Sequence, residues 1–152
     1  MRVAFDTSVL VAGSLARHAH AERARVWLHA AREGRIEALA TTHAFAETWA
    51  TLTAIPGEPR IDPAVATRVV ERLARHVKPF ALRWEDYRAA LERCDDSHLR
   101  SGVVYDALHL LGAARQHAEV FLTFNTRHFS ALVREGDPRV VAPPDPPALL
   151  GG

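Results

Sequence analysis

Cysteine is almost missing from this chain. Cys94 stands alone among 152 residues, so no internal disulfide can staple the fold, and a reducing compartment is the natural setting. Long apolar runs are missing too. The start Met1-Arg2-Val3-Ala4-Phe5-Asp6 holds no stretch long enough for a secretory signal, and no later segment approaches the roughly 20 residues of a membrane span, so a cytoplasmic protein with no membrane partner is expected. Lysine is as scarce as cysteine: of 19 basic residues only Lys78 is a lysine. Arginine's planar fork suits phosphate recognition, and the arginines at 17, 23, 25 and 32 are candidate phosphate contacts, although an arginine-rich genome is the better account of the bias. A net charge of +1 gives no general attraction to polyanions, and any nucleic-acid contact would have to come from a local patch. What is present is apolar bulk. A hydrophobic fraction of 48% over this length supports one domain with its own core, expected over residues 1–142, with a Pro- and Gly-rich tail over 143–152.

The most informative stretch runs from Gly102 to Ala114. Valine, leucine and alanine occupy nearly every angle of a helical wheel there, as in a helix buried on all sides. Asp106 sits inside it, with Val103, Leu110 and Ala113 as its neighbours at helical spacing. A carboxylate in such surroundings is costly unless a partner or a metal compensates it. Asp106 therefore marks a candidate site, the plain alternative being an acid in a helix's first turn favoured by the helix dipole.

Elsewhere the chain alternates short apolar strands with amphipathic helices. Val3–Phe5 reads as a buried strand ending in a polar Asp6-Thr7-Ser8 loop, where Asp6 is either a ligand at a strand end or a turn or helix cap. A helix over 21–33 ends at the capping Gly34. Ile36–Ala40 is a strand, and Thr41-Thr42 cap a helix to Ala54 with Phe45, Trp49 and Leu52 inward. Glu47 lies on that helix's other side, where periodicity alone makes it a solvated acid; the alternative is that the small residues around it let another element or a substrate approach closely. After the break at Pro56–Pro59, Asp62-Pro63 starts a helix with a Val65, Val69, Leu73 and Val77 stripe. Pro79–Trp84 is a further strand, and Glu85–Arg93 a helix with Tyr87, Ala90 and Leu91 inward. Cys94–Ser97 is then a polar connection, in which Asp95 and Asp96 are solvated acids or a metal pair. Val120–Thr123 and Arg139–Ala142 are the last strands. Such alternation predicts an α/β domain, three layers deep, with a largely parallel central sheet.

Asp6, Glu47 and Asp106 lie 41 and 59 residues apart, one at a strand end and two early in helices. In a parallel sheet, strand C-termini and the following helix N-termini share one edge, so the three acids can converge there. Like charges resist joint ionisation, and a carboxylate cluster without arginines implies a hard divalent cation, Mg²⁺ or Mn²⁺. A metal so placed activates water and steadies the oxygens of an in-line phosphoryl displacement. Hydrolysis of a phosphodiester is the reaction this chemistry suits.

Val3-Ala4-Phe5-Asp6-Thr7-Ser8-Val9-Leu10, Phe45-Ala46-Glu47, Val104-Tyr105-Asp106-Ala107-Leu108-His109 and Leu122-Thr123-Phe124-Asn125-Thr126-Arg127-His128-Phe129 resemble, in order and spacing, the motifs of PIN-domain ribonucleases, especially VapC-type toxins. The resemblance spans Met1 to about Val141. It implies an α/β/α fold, metal-dependent endonucleolytic cleavage of RNA, homodimerisation, and neutralisation by a small antitoxin protein whose tail occupies the active site. It also implies that Asp6, Glu47 and Asp106 hold the metal, that Thr7 or Ser8 orients the first acid, and that Thr123 binds beside it. The chain departs from the pattern where relatives often carry a fourth acid: Asn125 and His128 stand there, so Asn125 would offer a carbonyl oxygen or hold a metal-bound water. His128 is a surface residue or a phosphate contact, and His109 a core residue or a ligand. Two rival readings are a PIN-fold module that binds RNA or protein without cutting, and an α/β phosphohydrolase with Asp6 as nucleophile, which would usually need a second acid where Ser8 stands.

Overall fold

The computed structural model describes residues 1–144. Its central strand is β1 (Arg2–Phe5), where Val3, Ala4 and Phe5 are all buried. Strand side chains alternate between faces. Val3 and Phe5 therefore enter one core with Leu10, Trp27 and Phe45, while Ala4 enters another with Leu108, Phe121 and Phe129. A strand buried on both sides needs helices on both sides. On the first face lie α1 (Thr7–Ser14), α2 (Ala21–Arg32), α3 (Thr42–Ala54) and α4 (Pro63–Ala74); on the second lie α5 (Trp84–Asp96), α6 (Val103–Arg115) and the single-turn α7 (Thr126–Phe129). With β2 (Glu37–Thr41), β3 (Lys78–Phe80), β4 (Val120–Leu122) and β5 (Arg139–Val141), β1 forms a five-stranded sheet in the order β3-β2-β1-β4-β5. Every neighbouring pair is parallel, and Ala4 sits level with Leu39 on one side and Phe121 on the other. This is the expected three-layer α/β/α arrangement.

The strand order locates the site. From β1 the chain winds outward through β2 to β3, then crosses back to β4 on the far side of β1. The chains leaving β1 and β4 therefore diverge to opposite faces, into α1 and α7. Ligands in open parallel sheets collect in the crevice that such a reversal opens at the strands' C-terminal ends.

The cap residues fall where the sequence indicates. The Thr41 hydroxyl accepts the Ala44 amide at 3.0 Å, Asp62 accepts that of Ala64 at 2.8 Å with Pro63 opening α4, and Gly34, just past α2, takes a φ of +70° that favours glycine.

Several local expectations are corrected. The Asp6-Thr7-Ser8 segment is no loop, because α1 begins at Thr7; its consecutive buried residues Val9 to Ala12 carry no amphipathic period, since the helix lies between the sheet, α2 and α3. The strand expected over Pro79–Trp84 shrinks to β3, and Trp84 opens α5. That helix runs on through Asp96, so Cys94 is a buried core residue, and Asp95 and Asp96 are exposed acids on a helix. Tyr87 and Leu91 face outward at 40% and 56% exposure, and the buried face is Asp86, Ala90 and Cys94. The cause is an ion pair: Arg115 on α6 donates from Nε to both Asp86 oxygens, at 2.9 and 3.1 Å, which turns α5 about its axis. Val65 on α4 is likewise exposed, and Ala66, Val70 and Leu73 pack inward. Trp49 lies across the α3–α4 seam, donating from Nε1 to the Pro63 carbonyl and the Thr67 hydroxyl. Of the tail expected from 143, Pro143 is buried and its carbonyl accepts from Arg23 Nε at 2.7 Å; residues 145–152 lie outside the described residues.

Candidate active site

Asp6 follows the last residue of β1 and caps α1, so the cap reading holds and the residue stands at a strand end. Its backbone amide still donates to Leu122 of β4 at 2.9 Å, while its side chain is 4% exposed. Two hydroxyls hold the carboxylate through Oδ2: Ser8 Oγ donates at 2.6 Å and Thr123 Oγ1 at 2.7 Å. Each hydroxyl proton is thereby committed, and each hydroxyl oxygen in turn accepts a backbone amide of the segment after β4: Phe124 N–H to Ser8 Oγ and Asn125 N–H to Thr123 Oγ1, both at 3.0 Å. The acid is locked across the β1–β4 crevice.

Glu47 projects from α3 into the same crevice. A carboxylate only accepts, so His109 Nε2, 2.6 Å from Oε1, carries the hydrogen. The other ring nitrogen, Nδ1, is 2.8 Å from Thr41 Oγ1, whose oxygen already accepts the Ala44 amide. Thr7 Oγ1 also donates to Oε1, at 3.3 Å, and His43 Nε2 lies 3.5 Å away. Burial pulls the Glu47 carboxyl upward, but the hydrogen bond and charge of His109, with His43 and Thr7 behind them, hold it below the ordinary carboxylate range.

Asp106, in the first turn of α6, has no such support. Burial, followed by the charge of Asp6, pushes its pKa up to about 6; His128 and His109 oppose the rise and Glu47 adds to it. His128, largely exposed, reaches Asp106 at 3.7 Å, so it is both a surface residue and a neighbour of the acid. Asn125 is exposed on the rim and gives its backbone amide, but not its side chain, to the network around Asp6.

Asp6, Glu47, Asp106, Asn125, Thr7 and Ser8 line one cavity of about 510 Å³ at the C-terminal edge of the sheet. The three acids thus share a pocket, and Thr123 stands beneath them, fully buried. Their oxygens are divided in a consistent way. Among the described residues, Asp6 Oδ2 and Glu47 Oε1 carry the hydrogen bonds and Asp106 Oδ2 faces His128, while none reaches Asp6 Oδ1, Glu47 Oε2 or Asp106 Oδ1. Three open carboxylate oxygens with a rim amide, in a cavity whose lining among the described residues includes no arginine, form a hard-donor set that fits a divalent cation. Among the described residues no trio of His, Cys, Asp and Glu is drawn together tightly enough to enclose an ion by itself. An open set of this kind suits Mg²⁺, which retains several waters.

Residues 3–134 match the PIN domain family. The chain belongs to that family. It is 34% identical over 120 residues to Ribonuclease VapC27 of Mycobacterium tuberculosis, covering 78% of this chain and 81% of that one. The fold is shared with more distant solved structures: VapBC2 from Rickettsia felis bound to a promoter DNA fragment (TM-score 0.68, 12% identity, 93% of this chain and 98% of that one) and M. tuberculosis VapC20, described as a toxin cleaving the sarcin-ricin loop (TM-score 0.66, 19% identity, 90% and 99%). PIN-domain ribonucleases are metal-dependent as a class, in keeping with the donor set.

His109 is what the sequence concealed. Its place one turn after Asp106 suggests a core residue, and it is buried, but between Thr41 and Glu47. The only signal was an apolar helix carrying a second polar residue. The arginines fare differently: Arg25 and Arg32 line a separate cavity, and Arg23 lies over the ring of Phe124 at 5.4 Å, Phe124 itself lining the cavity of the acids.

Proposed function

We propose that this PIN-domain protein is an Mg²⁺- or Mn²⁺-dependent endoribonuclease, acting in the cytoplasm as the toxin of a toxin-antitoxin pair, with a cognate antitoxin protein and a second copy of itself as partners. The observation that carries the reading is the shared pocket of Asp6, Glu47 and Asp106, each with one carboxylate oxygen unengaged. Asp6, Glu47 and Asp106 would hold the ion, which when bound supplies an activated water and charge stabilisation for the phosphate oxygens. The remaining work falls to the chain itself. Ser8 and Thr123 fix Asp6 so that only Oδ1 faces the ligand. His109 and Thr7 do the same for Glu47, leaving Oε2. Asn125, on the rim, would offer a carbonyl oxygen or hold a metal-bound water where relatives often place a fourth acid, and three acids rather than four would suit one tightly held ion. The antitoxin is supported by similarity to VapC proteins, two of whose solved relatives are VapBC assemblies.

The test is cleavage of total RNA by the purified protein with and without EDTA. Expected are endonucleolytic fragments that appear with Mg²⁺ or Mn²⁺, vanish with EDTA, and are absent for Asp106→Asn. Asn125 in the fourth position favours one alternative, a PIN-fold module that binds RNA or protein without cutting; intact RNA under all these conditions, with RNA or protein still bound, would establish it. The phosphohydrolase reading finds no support, since Asp6 lies in a hydroxyl cage with Ser8 where a second acid would be needed.

A further inference from the structure

The site described so far leaves Tyr105 unused. It stands immediately before Asp106, half exposed at 50%, and among the described residues its hydroxyl makes no hydrogen bond. Yet the ring is not loose. It stacks on the His43 imidazole with centroids 5.6 Å apart and planes 19° from parallel, and His43 is itself anchored one turn before Glu47, 3.5 Å from that carboxylate. The stacked pair therefore bridges the first turns of α3 and α6, beside two of the three acids. A second pair lies in the cavity wall: His20 stacks on Phe124 at 4.4 Å and 15°. That one is backed into the core through Phe124. Of these two stacked pairs beside the cavity, it is the Tyr105 pair that presents a half-exposed ring to solvent.

A half-exposed ring, held by a neighbouring imidazole beside the cavity of the three acids, offers a flat face on which an unpaired base can stack. Single-stranded RNA supplies such a base in every nucleotide, because each unpaired base has a π-face that stacks on aromatic side chains whatever its identity. We infer that Tyr105, backed by His43, is a stacking platform for one unpaired base of the RNA, in a nucleotide flanking the cleaved bond. The inference rests on the ribonuclease reading and adds the subsite that would orient the strand.

The experiment measures binding of short fluorescein-labelled, unpaired RNA to wild-type protein, Tyr105→Ala and Tyr105→Trp in Ca²⁺, together with cleavage in Mn²⁺. Loss of one stacked base weakens binding by about 5- to 100-fold. Tyr105→Ala is expected to show that loss with an unchanged melting temperature, and Tyr105→Trp to keep wild-type affinity. RNA made abasic at the flanking nucleotide should bind wild type as weakly as intact RNA binds Tyr105→Ala, with no further loss when the two changes are combined. A Tyr105→Ala protein that binds and cuts RNA within twofold of wild type overturns the platform and leaves the nuclease standing. So do losses from the variant and the abasic RNA that simply multiply. Unchanged RNA affinity with a lost complex to a co-expressed antitoxin overturns it too, assigning the ring to a protein partner. A wild-type protein that neither binds nor cuts RNA overturns both readings.

Discussion

Replacing Asp106 by asparagine should stabilise the metal-free protein while abolishing its activity. The Asp106 carboxyl is raised from the ordinary 3.8 to about 6 by burial and then by Asp6, so the folded protein holds this proton more tightly than the unfolded chain does. Below pH 3.8 the group is neutral in both states and costs nothing. Between 3.8 and about 6 folding takes up a proton and the penalty grows; above about 6 the carboxylate is charged in both states and the penalty is complete. At about 1.4 kcal/mol per pH unit this amounts to roughly 3 kcal/mol, and partial solvation of a side chain 23% exposed brings it to about 2–3 kcal/mol. Asparagine keeps the shape without the charge. In a domain of this size each kcal/mol moves the melting temperature by about 2–4 °C, so thermal unfolding in EDTA at pH 8 should show Asp106→Asn melting about 4–12 °C above wild type. At pH 4 the gap should nearly close. Adding Mn²⁺ should raise the wild-type midpoint by mass action and the variant's much less. Equal midpoints at pH 8, or a gain that persists undiminished at pH 4, would refute the argument that like charge and burial, uncompensated by any cation, strain this site.

Metal affinity itself should fall as the pH drops below about 6, by up to about tenfold per unit as one proton competes for Asp106; Mn²⁺ titration calorimetry across pH 5 to 8 checks it, and a flat profile counts against Asp106 as a ligand. His109→Ala removes the donor that holds Glu47 Oε1 and should weaken Mn²⁺ binding about 10- to 100-fold; unchanged binding in a folded variant would reduce His109 to a core residue. Thr123→Val keeps the shape but strips Asp6 of one hydrogen bond and the Asn125 amide of its acceptor. Denaturant unfolding should show a loss of about 1–3 kcal/mol, with cleavage reduced as well, whereas Thr123→Ser should retain both functions. Asp86→Ala leaves Arg115 without its carboxylate at the α5–α6 seam and should cost about 3 kcal/mol, with RNA cleavage at low temperature unaffected.

How far the sequence disclosed this molecule depends on which physical signal each feature leaves. Burial of apolar side chains leaves a strong one. The all-round apolar α6, the runs Val3–Phe5 and Val120–Leu122, and the capping Asp62-Pro63 and Thr41 were therefore legible, and with them the parallel sheet. An acid within an apolar helix is a conflict visible in the sequence, so Asp106 was legible as well. Rotation about a helix axis is set by partners elsewhere in the chain. Nothing within α5 states that Arg115 will draw Asp86 inward and leave Tyr87 and Leu91 in solvent. Glu47 shows the same limit. Its own helix reads it as a solvated acid, and only His109, 62 residues later, makes it part of a pocket. Paired polar side chains from separate elements carry no periodicity, and such contacts are where the sequence falls silent.

The way the three acids are held suggests how a fold can tolerate an anionic pocket before any cation arrives. Asp6 and Glu47 each commit one oxygen to hydroxyl or imidazole donors, and those donors are themselves fixed: Ser8 and Thr123 by amides of the β4–α7 segment, Thr41 by the amide of Ala44. Rigid donors of this kind stabilise a carboxylate and define its direction together. Among the described residues the one ionic partner of Asp106 is the exposed His128 at 3.7 Å, so the remaining repulsion concentrates on it, in line with the upward push on its pKa from burial and Asp6. Two acids are thus positioned by the protein and the third is left for a ligand to satisfy. A cation entering the pocket gains most from Asp106, because relief of its strain adds to the attraction of all three charges. This division ties binding to the site's own instability: in Asp106→Asn the change that stabilises the empty protein also removes a ligand charge, so the same substitution should weaken its grip on the metal.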